Sequence, residues 1–273
     1  MINIENFDSP CFDEFDINLV QKEVDGGNIA KEQIDLIKEY PNAKSIIISG
    51  LKQDTFEYFV CTYGKQFEAI SFWKNKAVSD LSSLASLVEV RYISYFFNQK
   101  TCELWDMSNN ERLEGLSISD FSKLKSINEI EKAKNLSSFF VYDRVDAKMQ
   151  LETLSPVVNS CVNHFCWGGK KVIDGDFECL ANGKIEVLDI SPTQFTMLEL
   201  AELLSLFPES LKGIISKPYV TGEIKDIDGC HEYFYLCKKK KTCEKGIDDK
   251  RFARYLNEFE ELLKNCREKN KGN

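Results

Sequence analysis

Residues 67–75 read FEAISFWKN and residues 90–98 read VRYISYFFN. In both stretches the first, fourth and sixth positions are apolar, the ninth is asparagine, and 23 residues separate one from the other. The same frame can be laid along much of the chain. Its first positions fall on Ala43, Phe67, Val90, Leu113, Leu136, Val162, Ile185 and Leu211, with successive spacings of 24, 23, 23, 23, 26, 23 and 26. The fourth positions are Ile46, Ile70, Ile93, Leu116, Phe139, Phe165, Leu188 and Ile214. The sixth are Ile48, Phe72, Tyr95, Ile118, Val141, Trp167, Ile190 and Ser216. Only Ser216 among these 24 positions is polar, in a chain that is 43% hydrophobic overall, so the pattern is a structural period rather than composition.

A short strand with a return segment cannot bury its apolar side alone, so units of this length must stack on one another over a shared core. Side chains alternate along a strand. The fourth and sixth positions therefore point inward, and the third, fifth and seventh form columns on the opposite face. The frame resembles the leucine-rich-repeat family, L-x-x-L-x-L-x-x-N/C-x-L over 20 to 29 residues, from about Ile34 to Val220. The ninth-position asparagine is met by Asn75 and Asn98 and replaced elsewhere by Leu51, Phe121, Arg144, Lys170, Thr193 and Tyr219, so irregular turns are expected. The resemblance implies an α/β solenoid with a curved parallel sheet, one strand per repeat, helices on the convex side and a cap at each end. The expected division is an N-terminal cap at 1–33, about eight repeats over 34–220 and a C-terminal cap at 221–273.

Helical spacing is read over 28–40, 79–87, 121–133 and, most clearly, 196–206, where Thr196 stands as a cap before Leu198, Leu200, Ala201, Leu203 and Leu204. The start of the chain mixes Phe7, Phe12, Phe15, Ile17 and Leu19 with acidic residues, reads as one or two short strands, and ends at a Gly26-Gly27 turn. Near the other end, Phe252, Tyr255, Leu256, Phe259, Leu262, Leu263 and Cys266 form a helical stripe that must cover the last repeat or dock a partner. The run Lys238–Lys241 reads as a solvated turn or edge-strand guard, with a phosphate contact as the sharper alternative.

The net charge of −9 argues against general nucleic-acid affinity, which depends on neutralising phosphates, and would suit a basic protein partner. Residues 1–12 lack the basic start and apolar run of an export signal, and no stretch is long and apolar enough for a membrane span. A cytoplasmic, monomeric protein with no cofactor is expected, its ten cysteines reduced and mostly buried.

The search for catalytic chemistry finds no phosphate loop and no nucleophile elbow. Cys161, His164 and Cys166 are the residues closest to a metal or thiol site, against the plainer reading of an ordinary outward strand face. On the outward columns Trp73, Tyr92, Phe96, Phe140 and Tyr142 stand among small residues, with His164 and Asp189 further along. Large aromatics on an open repeat surface are the material of binding hot spots. Three readings of that face remain open: a partner-binding surface, a surface covered by the N-terminal cap, and a register one residue out. The expected function is a non-catalytic scaffold binding a macromolecular partner, with a toxin-neutralising immunity protein or, further off, a Cys/His metal-dependent enzyme as alternatives.

Overall fold

The computed structural model describes residues 7–8, 11–145, 147–227 and 229–271. They divide into two compact units, up to Lys184 and from Ile185 onward.

In the first unit the strands are β1 (Ile17–Leu19), β2 (Ser45–Ser49), β3 (Ala69–Trp73), β4 (Tyr92–Asn98), β5 (Gly115–Phe121), β6 (Ser138–Tyr142), β7 (Gln150–Leu151), β8 (His164–Gly168) and β9 (Lys171–Val172). β1 to β6 and then β8 lie side by side in chain order, each parallel to the next. β7 and β9 form a small parallel pair of their own. The register follows the sequence frame residue for residue: Ile46, Ile70, Ile93, Leu116, Phe139 and Phe165 are partners in turn, and so are Ile48, Phe72, Tyr95, Ile118, Val141 and Trp167. All twelve of these side chains are buried. Rings from successive turns also meet inside, with Phe72 5.0 Å from Tyr95 and Tyr95 5.0 Å from Phe121. A one-residue slip would exchange the inward and outward sets, so that alternative is excluded here.

Each early strand ends in a left-handed residue at the eighth frame position. Gly50, Lys74, Phe97 and Asp120 have φ of 75°, 53°, 66° and 55°. Only the first must be glycine for reasons of space, because a Cβ there would lie 2.8 Å from the Gly26 carbonyl oxygen of the N-terminal segment. The asparagines that follow close the turns. Asn75 Nδ2 donates to Ile48 O while its Oδ1 accepts from Leu51 N, and Asn98 serves Val78 O, Lys100 N and Thr101 N in the next turn. Where Phe121 replaces asparagine, Asp120 takes over one residue earlier, accepting from Arg144 N and Val145 N.

The return segments differ from the expected helices. Only α2 (Gln53–Thr62) is a helix of any length, after a four-residue α1 (Lys31–Ile34) that passes into a 3₁₀ turn at Asp35–Glu39. The segments at 79–87 and 121–133 form 3₁₀ turns at Ser82–Ser86 and Asn128–Lys132. The reason lies in the apolar spacing. Leu81, Leu84 and Leu87, like Leu124, Ile127, Ile130 and Ala133, recur every third residue, which is the 3₁₀ repeat rather than the α repeat of 3.6. In α2, Phe56, Phe59 and Val60 combine both spacings and are buried. The short α3 (Ser155–Asn159) carries Pro156 in its first turn.

Asp35 ties the first return segment to α2, accepting hydrogen bonds from Tyr58 Oη and Tyr63 Oη. Those two bonds, with Lys38 beside them, hold its carboxyl down at about 2. A folded-state value below the unfolded one stabilises the fold above the ordinary aspartate range, and the contribution is lost as pH falls from about 4 through about 2. Asp35→Asn is therefore expected to flatten the melting temperature against pH across that window, leaving the profile from pH 5 to 7 parallel to the wild type. An unchanged acid limb would refute it.

The second unit contains β10 (Val187–Ile190), α4 (Met197–Ser205), an antiparallel sheet of β11 (Tyr219–Asp226), β12 (Gly229–Leu236) and β13 (Cys243–Glu244), and α5 (Asp249–Lys271). Thr196 caps α4 as expected, accepting from Glu199 N while the Glu199 carboxylate accepts from Thr196 N. The strand expected at Gly213–Ile215 is not formed. A 3₁₀ turn at Ile214–Ser216 replaces it, with a single bridge between Val187 and Lys212. Gly213, at φ 101°, lies so close to Leu188 that a Cβ would sit 2.4 Å from its carbonyl oxygen. Ser216, the one polar frame position, falls in that turn. The β11–β12 hairpin lies beyond the repeat frame, which carries no signal for it. On α5, Tyr255, Phe259 and Cys266 are buried, Phe252 stacks on Phe234 at 4.0 Å, and Tyr255 Oη donates to Pro218 O. The stripe is thus engaged within its own unit. Lys238–Lys241 is an exposed turn after β12.

Candidate functional site

The outward columns of the first unit are in register as well. Ser45, Ala69, Tyr92, Gly115, Ser138 and His164 form one, Ile47, Ser71, Ser94, Ser117, Phe140 and Cys166 the next, and Ser49, Trp73, Phe96, Ser119, Tyr142 and Gly168 the third. Trp73, Tyr92, Phe96, Phe140, Tyr142 and His164 therefore share one face. Asp189 belongs to the second unit, where its carboxylate accepts from Ile214 N.

That face does not stand open. Tyr92, Phe96 and Phe140 are 7%, 6% and 8% exposed, and Trp73 and Tyr142 are half-buried. The expectation of exposed rings is corrected accordingly, and the cause is the N-terminal segment. Phe7, itself 3% exposed, packs between Tyr92 and Phe140 with ring centroids at 5.5 and 5.2 Å. Phe12 sets its edge on Trp73 at 4.8 Å, and Trp73 lies 4.5 Å from Phe96. Phe15 completes the apolar cluster with Ile47 and Ala69. Burial shows the consequence strand by strand. β8, at the far end, alternates half-buried and buried, whereas β2 and β5 are buried at every position.

One charged contact fixes the segment. Asp8 accepts from Tyr142 Oη at 3.0 Å, its carbonyl accepts from Arg144 Nη2 at 2.7 Å, and the Arg144 guanidinium lies over the Tyr142 and Phe96 rings. Burial, with the Asp8 charge alongside, pushes the Tyr142 phenol up. Tyr92 is pushed to about 12 by burial and by its hydrogen bond to Glu114. Where the segment enters the sheet, Asp16 Oδ2 accepts from Lys44 N and Ser45 N. A cleft of about 120 Å³ remains between Phe12, Trp73, Phe96 and the Asp8–Arg144 contact, over Ser71 and Ser94.

At one rim, Arg91 grips Glu114 through two 2.9 Å bonds, and Tyr92 Oη donates to the same carboxylate at 2.6 Å. Both charged side chains are about one-third exposed, so solvent screens the pair. Arg91→Ala should cost less than about 1 kcal/mol, and less still in 0.5 M salt. Urea titrations at two ionic strengths would check this, and a larger loss independent of salt would contradict it.

Cys161, His164 and Cys166 do not assemble a centre. Cys161 is exposed ahead of β8, His164 sets its ring against Phe140 at 4.7 Å, and Cys166 adjoins the apolar cluster. Among the described residues, no group of three or more His, Cys, Asp or Glu side chains could hold a metal ion. Their helices include none long and apolar enough to cross a membrane. Of the ten cysteines only Cys237, Cys243 and Cys266 are buried, so the expectation that most would be buried is corrected.

Parallel strands taken in chain order, one per turn of 23 or so residues, over a common core with side-chain amides closing the turns, decide the architecture. The first unit is a leucine-rich-repeat solenoid. No family model matches this sequence, and no curated protein does. Among solved structures, an internalin from Listeria monocytogenes is similar, with 18% identity and a TM-score of 0.46. The match covers 65% of this chain and 48% of the internalin, so the chain spans about half that protein's length. The segment lying across the solenoid's sheet and the signal from Asp8 and Arg144 were not legible from the repeat frame, since neither residue holds an inward position.

Proposed function

We propose that this chain is a non-catalytic scaffold that binds a protein partner through the concave face of its solenoid, with Trp73, Tyr92, Phe96, Phe140 and Tyr142 as the anchoring side chains. The observation that supports this most is that the face already holds a polypeptide segment by rings and one carboxylate. Flat aromatic anchors among small residues offer wide contact area at low entropic cost, which is how repeat surfaces gain affinity. Four carboxylates, those of Asp8, Asp13, Glu14 and Asp16, belong to the described part of the covering segment. A basic partner, the choice suggested by net charge, would thus meet part of its attraction on that segment.

The test is capture of the partner from a cell lysate by wild type and by a Trp73→Ala, Tyr142→Ala double variant. These two rings are only half-buried, so the fold should survive their loss, and equal melting of the remaining core is checked first. A partner taken by wild type and reduced at least tenfold in the variant supports the reading. Equal capture by both would remove the concave face from consideration.

A further inference from the structure

We propose that residues 7–8 and 11–16 sit on the concave face as a resident ligand, and that the partner displaces them with a segment of the same chemistry: an aromatic residue, a carboxylate beside it, and a second, larger aromatic five residues on from the first. This rests on the binding reading above and adds the partner's chemistry and its mode of entry. Phe7, Asp8 and Phe12 carry that pattern in cis, with a phenylalanine where the partner would bring the larger ring.

The contacts are those of a ligand in subsites. Phe7 fills a site between Tyr92 and Phe140, Asp8 meets Tyr142 and Arg144, and Phe12 leans on Trp73. The third subsite is underfilled. Phe12 is half-buried beside the 120 Å³ cleft, whose floor is Ser71 and Ser94 and whose far wall is Phe96. Tryptophan or tyrosine in place of that phenylalanine would occupy the cleft and gain contacts the resident segment lacks. The attachment also permits departure. Asp16 is held by two backbone amides of 44–45, and β1 begins at Ile17, so Phe7, Asp8 and residues 11–15 can leave without unpairing β1 from β2. Their removal takes acidic charge off the face and leaves Arg144 to attract a carboxylate from elsewhere.

A tethered segment competes at high effective concentration, so an outside segment binds with an affinity reduced by the fraction of time the face is open. Two requirements follow: loosening the resident segment must strengthen binding in trans, and the binding must read the same subsites.

The probe is a fluorescein-labelled peptide of residues 4–16 carrying Phe12→Trp, titrated by anisotropy against the full chain. The Phe7→Ala, Asp8→Ala variant is expected to bind it at least tenfold more tightly than wild type. Adding Arg144→Glu to that variant should return the affinity at least tenfold. No saturable binding to the loosened variant, with its circular dichroism intact, overturns the proposal. Should that variant fail to fold, hydrogen exchange on wild type decides instead. Amides of 11–16 exchanging at least a hundredfold faster than those of β3–β5 support a segment that opens locally, and exchange only with global unfolding overturns it. Failure here, with partner capture still lost in the Trp73→Ala, Tyr142→Ala variant, would leave the binding reading standing without this partner. Failure of both experiments would remove both.

Discussion

Phe72→Ala should destabilise the solenoid unit by about 3–5 kcal/mol and lower its melting transition by on the order of 10 °C. Phe72 has no solvent exposure and its ring meets Phe56 at 5.3 Å, Phe59 at 6.1 Å and Tyr95 at 5.0 Å. It joins the only long helix of the unit's return segments to the stacked strands. Removing the ring leaves a cavity bounded by three other rings and the backbone of successive turns. Such walls are anchored by the ladder of strand pairing and collapse poorly, which places the cost toward the upper part of the range. Phe72→Leu, keeping most of the volume, should cost less than about half as much. Guanidinium unfolding followed by far-ultraviolet circular dichroism measures both. A loss below about 1 kcal/mol for Phe72→Ala would mean that the stacked rings are not a close-packed interior, and the inward reading of the sixth frame position would fall with it.

What was legible in the sequence was whatever repeats. The inward positions and the three outward columns of β2–β8 are fixed by a period of two along each strand and 23 between strands, and both periods are visible in FEAISFWKN and VRYISYFFN. The 3₁₀ return turns are written there too, in the strict third-residue spacing of Leu81, Leu84 and Leu87, though that spacing also fits one face of an α-helix and so does not by itself separate the two. Three things had no repeating signal. Gly213 ends the pattern through a backbone clash with Leu188 that no single-residue preference announces. The β11–β12 hairpin lies outside the period. The placement of Phe7, Asp8 and Phe12 depends on contacts across about 60 to 135 residues, where local patterning carries no information. The cap over the face was nonetheless one of the readings the aromatics allowed, because five large rings cannot remain exposed without something to meet them.

Asn98→Ala is the second large effect, at about 2–4 kcal/mol, and it comes from polar groups rather than packing. Asn98 is fully buried at the end of β4. Its Nδ2 donates to Val78 O at 2.8 Å and its Oδ1 accepts from Lys100 N and Thr101 N at 2.9 and 2.8 Å. The partners do not suffer equally when it is removed. Val78 O keeps a bond from Thr101 Oγ1 at 3.1 Å, and exposed Lys100 lets its amide turn to water. Thr101, 1% exposed, has no such escape, so its N–H carries most of the penalty of an orphaned buried donor. The same turn holds Phe97 in the left-handed region, which costs a non-glycine residue about 1 kcal/mol or more, and the asparagine bonds are what keep it there. Asn98→Asp should be no better, because it keeps the acceptors but loses both donors and buries a charge beside the Asn75 and Val78 carbonyls. Asn75→Ala should cost less than Asn98→Ala, since its side chain serves Ile48 O and Leu51 N alone, both in the preceding turn. Measured in urea, that order, Asn98 above Asn75, identifies the amide ladder as the device that closes the turns. Equal and small losses at both positions would instead assign the closure of each turn to strand pairing, with the asparagines incidental to it.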